Sequence, residues 1–137
     1  MVSAAGHTYP KIEKLKSRKL AEALFNRGRS FTGFPVKVYY LKIAGESDYP
    51  VKIGMGASSR NFKKSVDRNY IKRQLREAYR TEKLPLHEYL RAHQLNLAIF
   101  LLYVDKTLPE KGVIKAKMPA LLQRLIKAIH EETAPNT

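Results

Sequence analysis

Residues 65–80 read SVDRNYIKRQLREAYR, and the spacing of apolar and basic residues in this stretch decides what the rest of the chain must provide. At about 100° per residue, with Arg68 set to zero, Arg68, Lys72, Arg76, Asn69, Arg80 and Arg73 spread over roughly 0° to 140°. Ile71, Leu75, Ala78 and Tyr79 occupy the arc from about 280° through to about 20°. One face of a helix can therefore dock on a sheet while the other presents guanidinium and ammonium groups to a polyanion. Most basic helices are solvated surfaces laced by ion pairs. Here, however, Arg60 to Arg80 holds eight Lys or Arg against two acids, Asp67 and Glu77. Charges so unbalanced are not interleaved as i,i+4 pairing requires.

The whole chain extends that bias. Its 137 residues suit one domain able to bury a core without disulfides or structural metal. It carries 26 Lys plus Arg against 12 Asp plus Glu, a formal charge of +14. That balance points to an anionic partner, nucleic acid first. An anionic membrane is the rival, but the apolar face of the 65–80 helix is accounted for as core and carries no membrane wedge. The absence of cysteine excludes disulfides, thiolate catalysis and Cys-ligated zinc. The N-terminal stretch MVSAAGHTYPKIEKLKSR lacks the continuous apolar core of a signal peptide, and the longest apolar run, Leu97 to Val104, is too short to span a bilayer. The expected location is the cytoplasm.

Working outward, residues 1–13 read as a disordered lead, 14–132 as one domain and 133–137 as a frayed tail. Ser17 is placed to cap a short helix carrying Leu20, Ala21, Leu24 and Phe25, with Gly28 as its stop. Phe25, near its end, is either core or a ligand platform. Phe34 to Ile43 alternates as a strand, with Val36, Val38 and Tyr40 on one face and Lys37, Tyr39 and Leu41 on the other. A turn of Gly45, Glu46, Ser47 and Asp48 leads to a second strand, Val51 to Ala57, and the two read as an antiparallel hairpin. Gly54 and Gly56 share one face of the second strand, which marks either a bulge or a face that something approaches closely. Pro85 opens a short helical turn, and Leu97 to Val104 reads as a strand covered on both faces. Val113 to Glu132 is a final helix with Leu121, Leu122, Leu125, Ile126 and Ile129 as its buried stripe; Pro119 either kinks it or marks its first turn. The order helix, strand, strand, helix, strand, helix, with room for an extra short strand, makes a single-domain α+β layer structure.

The string KKSVDRNYIKRQLREAYR, Lys63 to Arg80, resembles the signature of the bacterial ribonuclease P protein family. Its setting is similar too: LFNRGRSF (Leu24 to Phe31) lies upstream, then a strand containing Tyr39, then GMGAS (Gly54 to Ser58). The likeness runs roughly from Lys14 to Glu132. It implies an α/β sandwich in which the basic helix follows the sheet by a left-handed crossover, against the usual rule. It also implies a partner role: the chain would bind a catalytic RNA and the 5′ leader of precursor tRNA, and so promote endonucleolytic removal of the leader. On that reading Arg68, Asn69, Lys72, Arg73 and Arg76, with Arg60, Lys63 and Lys64 in the preceding loop, contact RNA. Phe25, Lys37 and Tyr39 line a cleft for the single-stranded leader, where aromatic stacking and cations are the expected chemistry. The chain itself would bind no cofactor, with magnesium held at the active site of the RNA. Three positions depart from the family pattern: Tyr70 stands where a second arginine is usual, Ala21 where an aromatic is frequent, and Ser59 where a lysine is common.

A nuclease in its own right is disfavoured, because Asp67 and Glu77 are ten apart and Glu131 and Glu132 are adjacent, so neither makes a paired-carboxylate metal site. His7, His87, His93 and His130 show no ligand spacing and read as surface or packing residues, and Phe31 and Phe62 read as packing residues. The alternative from another class is a non-catalytic structural RNA-binding protein of ribosomal type, which would share the charge and the small α+β fold. A DNA-binding module comes third, since its recognition helix sits in a compact helical unit and not between strands.

Overall fold

The computed structural model describes residues 14–43 and 50–133. The expected lead over 1–13, the turn over 44–49 and tail residues 134–137 lie outside the described residues. Among the described residues, four helices and four strands follow in the order α1 (Arg18–Arg27), β1 (Arg29–Gly33), β2 (Val36–Ile43), β3 (Val51–Ala57), α2 (Ser65–Glu82), α3 (Leu84–Ala92), β4 (Asn96–Tyr103) and α4 (Val113–Thr133). The sheet order is β1-β2-β4-β3, antiparallel except for the parallel pair β3 and β4. The fold is the expected α+β layer structure, with β1 as the extra short strand.

The anticipated hairpin between β2 and β3 does not form. Chain direction does reverse between them, but β4 is inserted, with Leu41 opposite Ala98 on one side and Lys52 opposite Ala98 on the other. The true hairpin joins β1 to β2, closing at the pair Gly33 and Val36. Alternation at period two assigns faces and carries no information about neighbours, so a strand arriving late in sequence can take the central place. That place explains the unbroken apolar run of β4, whose Leu97, Ala98, Ile99 and Leu101 are all buried.

α2 turns Ile71, Leu75, Ala78 and Tyr79 inward, the stripe its periodicity dictates. These meet Val36, Val38, Ile53, Ile99 and Leu101 of the sheet and Ile114, Met118, Leu122, Leu125 and Ile129 of α4 in one core. α4 begins at Val113 and continues through Pro119, so the proline is internal and not the first turn. α1 packs on the opposite face of the sheet, against β2 and β4. Ser17 accepts a hydrogen bond from the Leu20 N–H at 3.2 Å and starts it. Gly28 ends it in extended backbone, and a side chain there would strike the Leu24 carbonyl oxygen and lie 2.8 Å from the Tyr40 carbonyl oxygen. Absence of a Cβ, not left-handed geometry, is what lets α1 sit down on β2.

Candidate nucleic-acid interface

The face of the sheet under α1 is half covered. Registers on successive strands align three rows there: Leu41, Ala98 and Lys52; Tyr39, Phe100 and Gly54; Lys37, Leu102 and Gly56. Leu24 of α1 and Ala98 below it are fully buried, but Tyr39, Phe100, Lys37 and Leu102 are only partly covered. Phe25, 46% exposed, meets Tyr39 edge-on at 4.9 Å between ring centroids and Phe100 at 5.2 Å. The Lys37 ammonium lies 5.0 Å from the centre of the Tyr39 ring. Phe25, Lys37 and Tyr39 are thus brought together on one face, and Phe25 is partly exposed and lies outside the core.

Phe100 was not anticipated. Within LAIFLLYV nothing distinguishes it from its apolar neighbours, and only register places it beside Tyr39. The two glycines belong to the same arrangement. A Cβ on Gly54 or on Gly56 would come within 3.0 Å of the Phe100 ring, so the close approach anticipated at these positions is made by that side chain.

α2 lies on the other side of the sheet, and its cations divide into two kinds. Arg68 donates from Nη1 to the carbonyl oxygens of Phe62 at 2.7 Å and Lys63 at 3.0 Å, tying the preceding loop to the helix. Arg80 is held by Glu77 at 2.8 Å, and the hydrogen bond from Arg80 keeps the Glu77 carboxyl below its ordinary range. Lys72 and Arg73, by contrast, have no hydrogen-bond or ion-pair partner among the described residues. Asn69, Arg73 and Arg76 are exposed, as are Arg60, Lys63 and Lys64 in the loop. Phe62 anchors that loop from the core side, 6.0 Å from the Tyr103 ring. Lys83 is the exception to the cationic surface: it is buried against the Tyr79 ring.

Tyr70, at the position of the missing arginine, does not face the cations. Its hydroxyl donates to the Pro109 carbonyl oxygen at 3.0 Å and its ring packs against the core, so it fastens α2 to the loop before α4. Of the described histidines, His87 is a packing residue, buried with Nε2 2.8 Å from the Tyr79 hydroxyl, while His93 and His130 lie at the surface.

The two surfaces meet at the outer edge of β3. Lys14 bridges to Ile53 in parallel, and the Leu15 N–H donates to the Ile53 carbonyl oxygen at 2.9 Å. Between this segment and α2 runs an open groove of about 230 Å³ lined by Lys14, Lys16, Gly54, Met55, Lys72 and Arg76. Gly54 therefore floors the groove on one side and touches Phe100 on the other. Lys14 and Lys16 join the basic surface only through this pairing.

The model of the family described as Ribonuclease P matches residues 9–132. The chain belongs to that family. A Ribonuclease P protein component from Porphyromonas gingivalis is 28% identical over 125 residues, covering 91% of each chain. One from Chlorobium phaeobacteroides is 30% identical and covers 84% of this chain and 86% of the relative. The ribonuclease P protein of Staphylococcus aureus has the same fold, with a TM-score of 0.50 at 18% identity over 85% of this chain and 94% of that one. Among the described residues, no helix is long and apolar enough to cross a membrane.

Proposed function

We propose that this chain is the protein subunit of a ribonuclease P, acting beside a catalytic RNA to remove the 5′ leader of precursor tRNA. The observation that carries this reading is the junction at β3. There a half-covered aromatic cleft on one face of the sheet runs into a groove walled by the cations of α2. Arg73 and Arg76, with Asn69 and Lys72, serve the catalytic RNA, and Arg60, Lys63 and Lys64 extend that contact along the loop. Phe25, Lys37 and Tyr39 take the leader, bases on rings and phosphate on the ammonium, which is the chemistry that binds single strands without demanding a sequence.

The chain's contribution is electrostatic and positional. Two RNAs repel each other, and cations fixed on a rigid helix lower that repulsion without being ordered anew at each encounter. Gripping the leader in the cleft fixes the strand upstream of the scissile bond and raises substrate affinity. The chemical step belongs to the RNA, where magnesium held by phosphates would supply the activated water. Among the described residues, no group of three or more His, Cys, Asp or Glu comes together to hold a metal ion.

The test is cleavage of 5′-labelled precursor tRNA at low magnesium by a bacterial catalytic ribonuclease P RNA, with and without this protein. Stimulation at the correct site, absent for the protein alone, is expected. Tight RNA binding with no stimulation would favour a structural RNA-binding role. If about five cations neutralise phosphates, affinity falls at least roughly a hundred-fold between 50 and 200 mM salt.

A further inference from the structure

We infer that Phe100 is a base-stacking residue of the leader cleft, and that Gly54 and Gly56 are glycines so that its ring can extend the platform to the edge of the sheet. The inference rests on the leader-binding reading above and names a residue which that reading does not require.

Three observations carry it. Phe100 sits on the central strand between fully buried Ile99 and Leu101, yet remains partly exposed on the opposite face. Its neighbours there are the other two rings of the cleft, and both contacts made by Phe25 are steeply inclined, 74° to Tyr39 and 64° to Phe100, so these rings are not stacked face on face. π-surface is thereby left for a planar ligand. Finally, the two β3 positions flanking the ring carry no side chain, and adding one would bring a carbon within 3.0 Å of it. Glycine at two alternate positions weakens a strand. Here the ring gains the space over β3.

α1 contributes one ring to this face, Phe25, with Ala21 one turn earlier. The remaining aromatic surface therefore comes from the strands, Tyr39 on β2 and Phe100 directly opposite it on β4. Lys37 lies in the next row, where phosphate attached to a base on these rings would find it. A single strand seated on Tyr39 and Phe100 then passes over Gly54 toward the Lys14, Lys16, Lys72 and Arg76 groove. Aromatic rings and cations in alternation suit single-stranded RNA, whose bases all present π-faces.

The experiment uses the reconstituted holoenzyme and two precursor tRNAs, one with a ten-nucleotide leader and one with a single-nucleotide leader. Phe100→Leu, which keeps apolar volume and removes the π-face, is expected to weaken binding of the long-leader substrate about five- to fifty-fold and to leave the short-leader substrate unchanged. Phe100→Tyr is expected to retain wild-type affinity. Gly54→Ala, which displaces the ring without altering it, is expected to give a smaller loss of the same leader-dependent kind. Tyr39→Leu is the control for the cleft itself. If Tyr39→Leu loses the leader-dependent affinity and Phe100→Leu does not, Phe100 is packing and the inference is overturned. Equal weakening of both substrates by Phe100→Leu would also overturn it, because the residue would then act through the fold. If neither variant affects leader-dependent binding, the leader cleft itself is wrong, a result distinct from the first two.

Discussion

Tyrosines and arginines occur on both the closed and the open side of this molecule, and they are used differently on each. On the closed side the Tyr103 hydroxyl donates to the Thr107 carbonyl oxygen at 2.8 Å, and that of Tyr79 pairs with His87. On the open side Tyr39 is partly exposed, its hydroxyl has no hydrogen-bond partner among the described residues, and its ring has a lysine and a phenylalanine beside it. The same contrast divides α2: Arg68 is spent on two carbonyl groups of its own loop, while Arg73, exposed at a neighbouring position, has no such partner. A buried polar group must find its partner within the fold, whereas a polar group left over on a rigid surface is available to a ligand. Commitment within the fold, more than residue type, separates structural side chains from candidate RNA contacts.

The most severe way to break this contrast is at Leu75, which is fully buried between α2 and the sheet. Leu75→Ala should cost roughly 2 to 5 kcal/mol in denaturant unfolding, with the salt slope of RNA binding unchanged for the folded fraction. A lost salt slope with intact stability would mean that the helix presents its faces the other way round. Next come the two arginines. Arg68→Ala should lower stability by about 1 to 2 kcal/mol as well as weaken RNA binding, since it frees two carbonyl groups. Arg73→Ala should reduce the salt slope by about one while leaving thermal stability within about 0.5 kcal/mol. Identical thermal melts for these two variants would remove the distinction between committed and available cations.

Tyr70→Phe sharpens the comparison further. Loss of the bond to Pro109 should cost about 0.5 to 1.5 kcal/mol and leave RNA affinity unaltered. Reduced RNA affinity at unchanged stability would return Tyr70 to the interface. A last effect is confined to alkaline solution and is absent at neutral pH. Burial, then Asp105 and Tyr70, push the Tyr103 phenol up to about 12 from an ordinary value of 10.0. A proton held more tightly in the folded state contributes stability that is fully present below the unfolded value and is lost as pH rises through the folded one. Stability should therefore decline between about pH 10 and 12. Tyr103→Phe should flatten that part of the pH profile.

Much of this arrangement was legible in the chain because it depends on local period. The α2 stripe of Ile71, Leu75, Ala78 and Tyr79, the faces of β2 and the cap at Ser17 all follow from spacing within one element. What depends on the pairing of distant strands was not legible. The insertion of β4 between β2 and β3 hid Phe100 from view, since its role appears only when Tyr39, Phe100 and Gly54 are set in one row. The hydrogen bonds of Arg68 and Tyr70 were not legible for a related reason. Their partners are carbonyl oxygens of Phe62, Lys63 and Pro109, and backbone acceptors leave no mark in a sequence.

Among the described residues, β3 is the last strand on its side of the sheet, bridged at Ile53 by Lys14 and receiving a hydrogen bond from the Leu15 N–H. Such an edge invites addition of a strand from another molecule. Here Gly54 and Gly56 give a poor strand former, and Lys14, Lys16, Lys72 and Arg76 crowd the approach with positive charge. Two copies brought edge to edge would repel each other, whereas a polyanion would be drawn in. The positive charge that would draw in a polyanion thus also opposes edge-to-edge pairing of two copies, and added salt weakens both effects together.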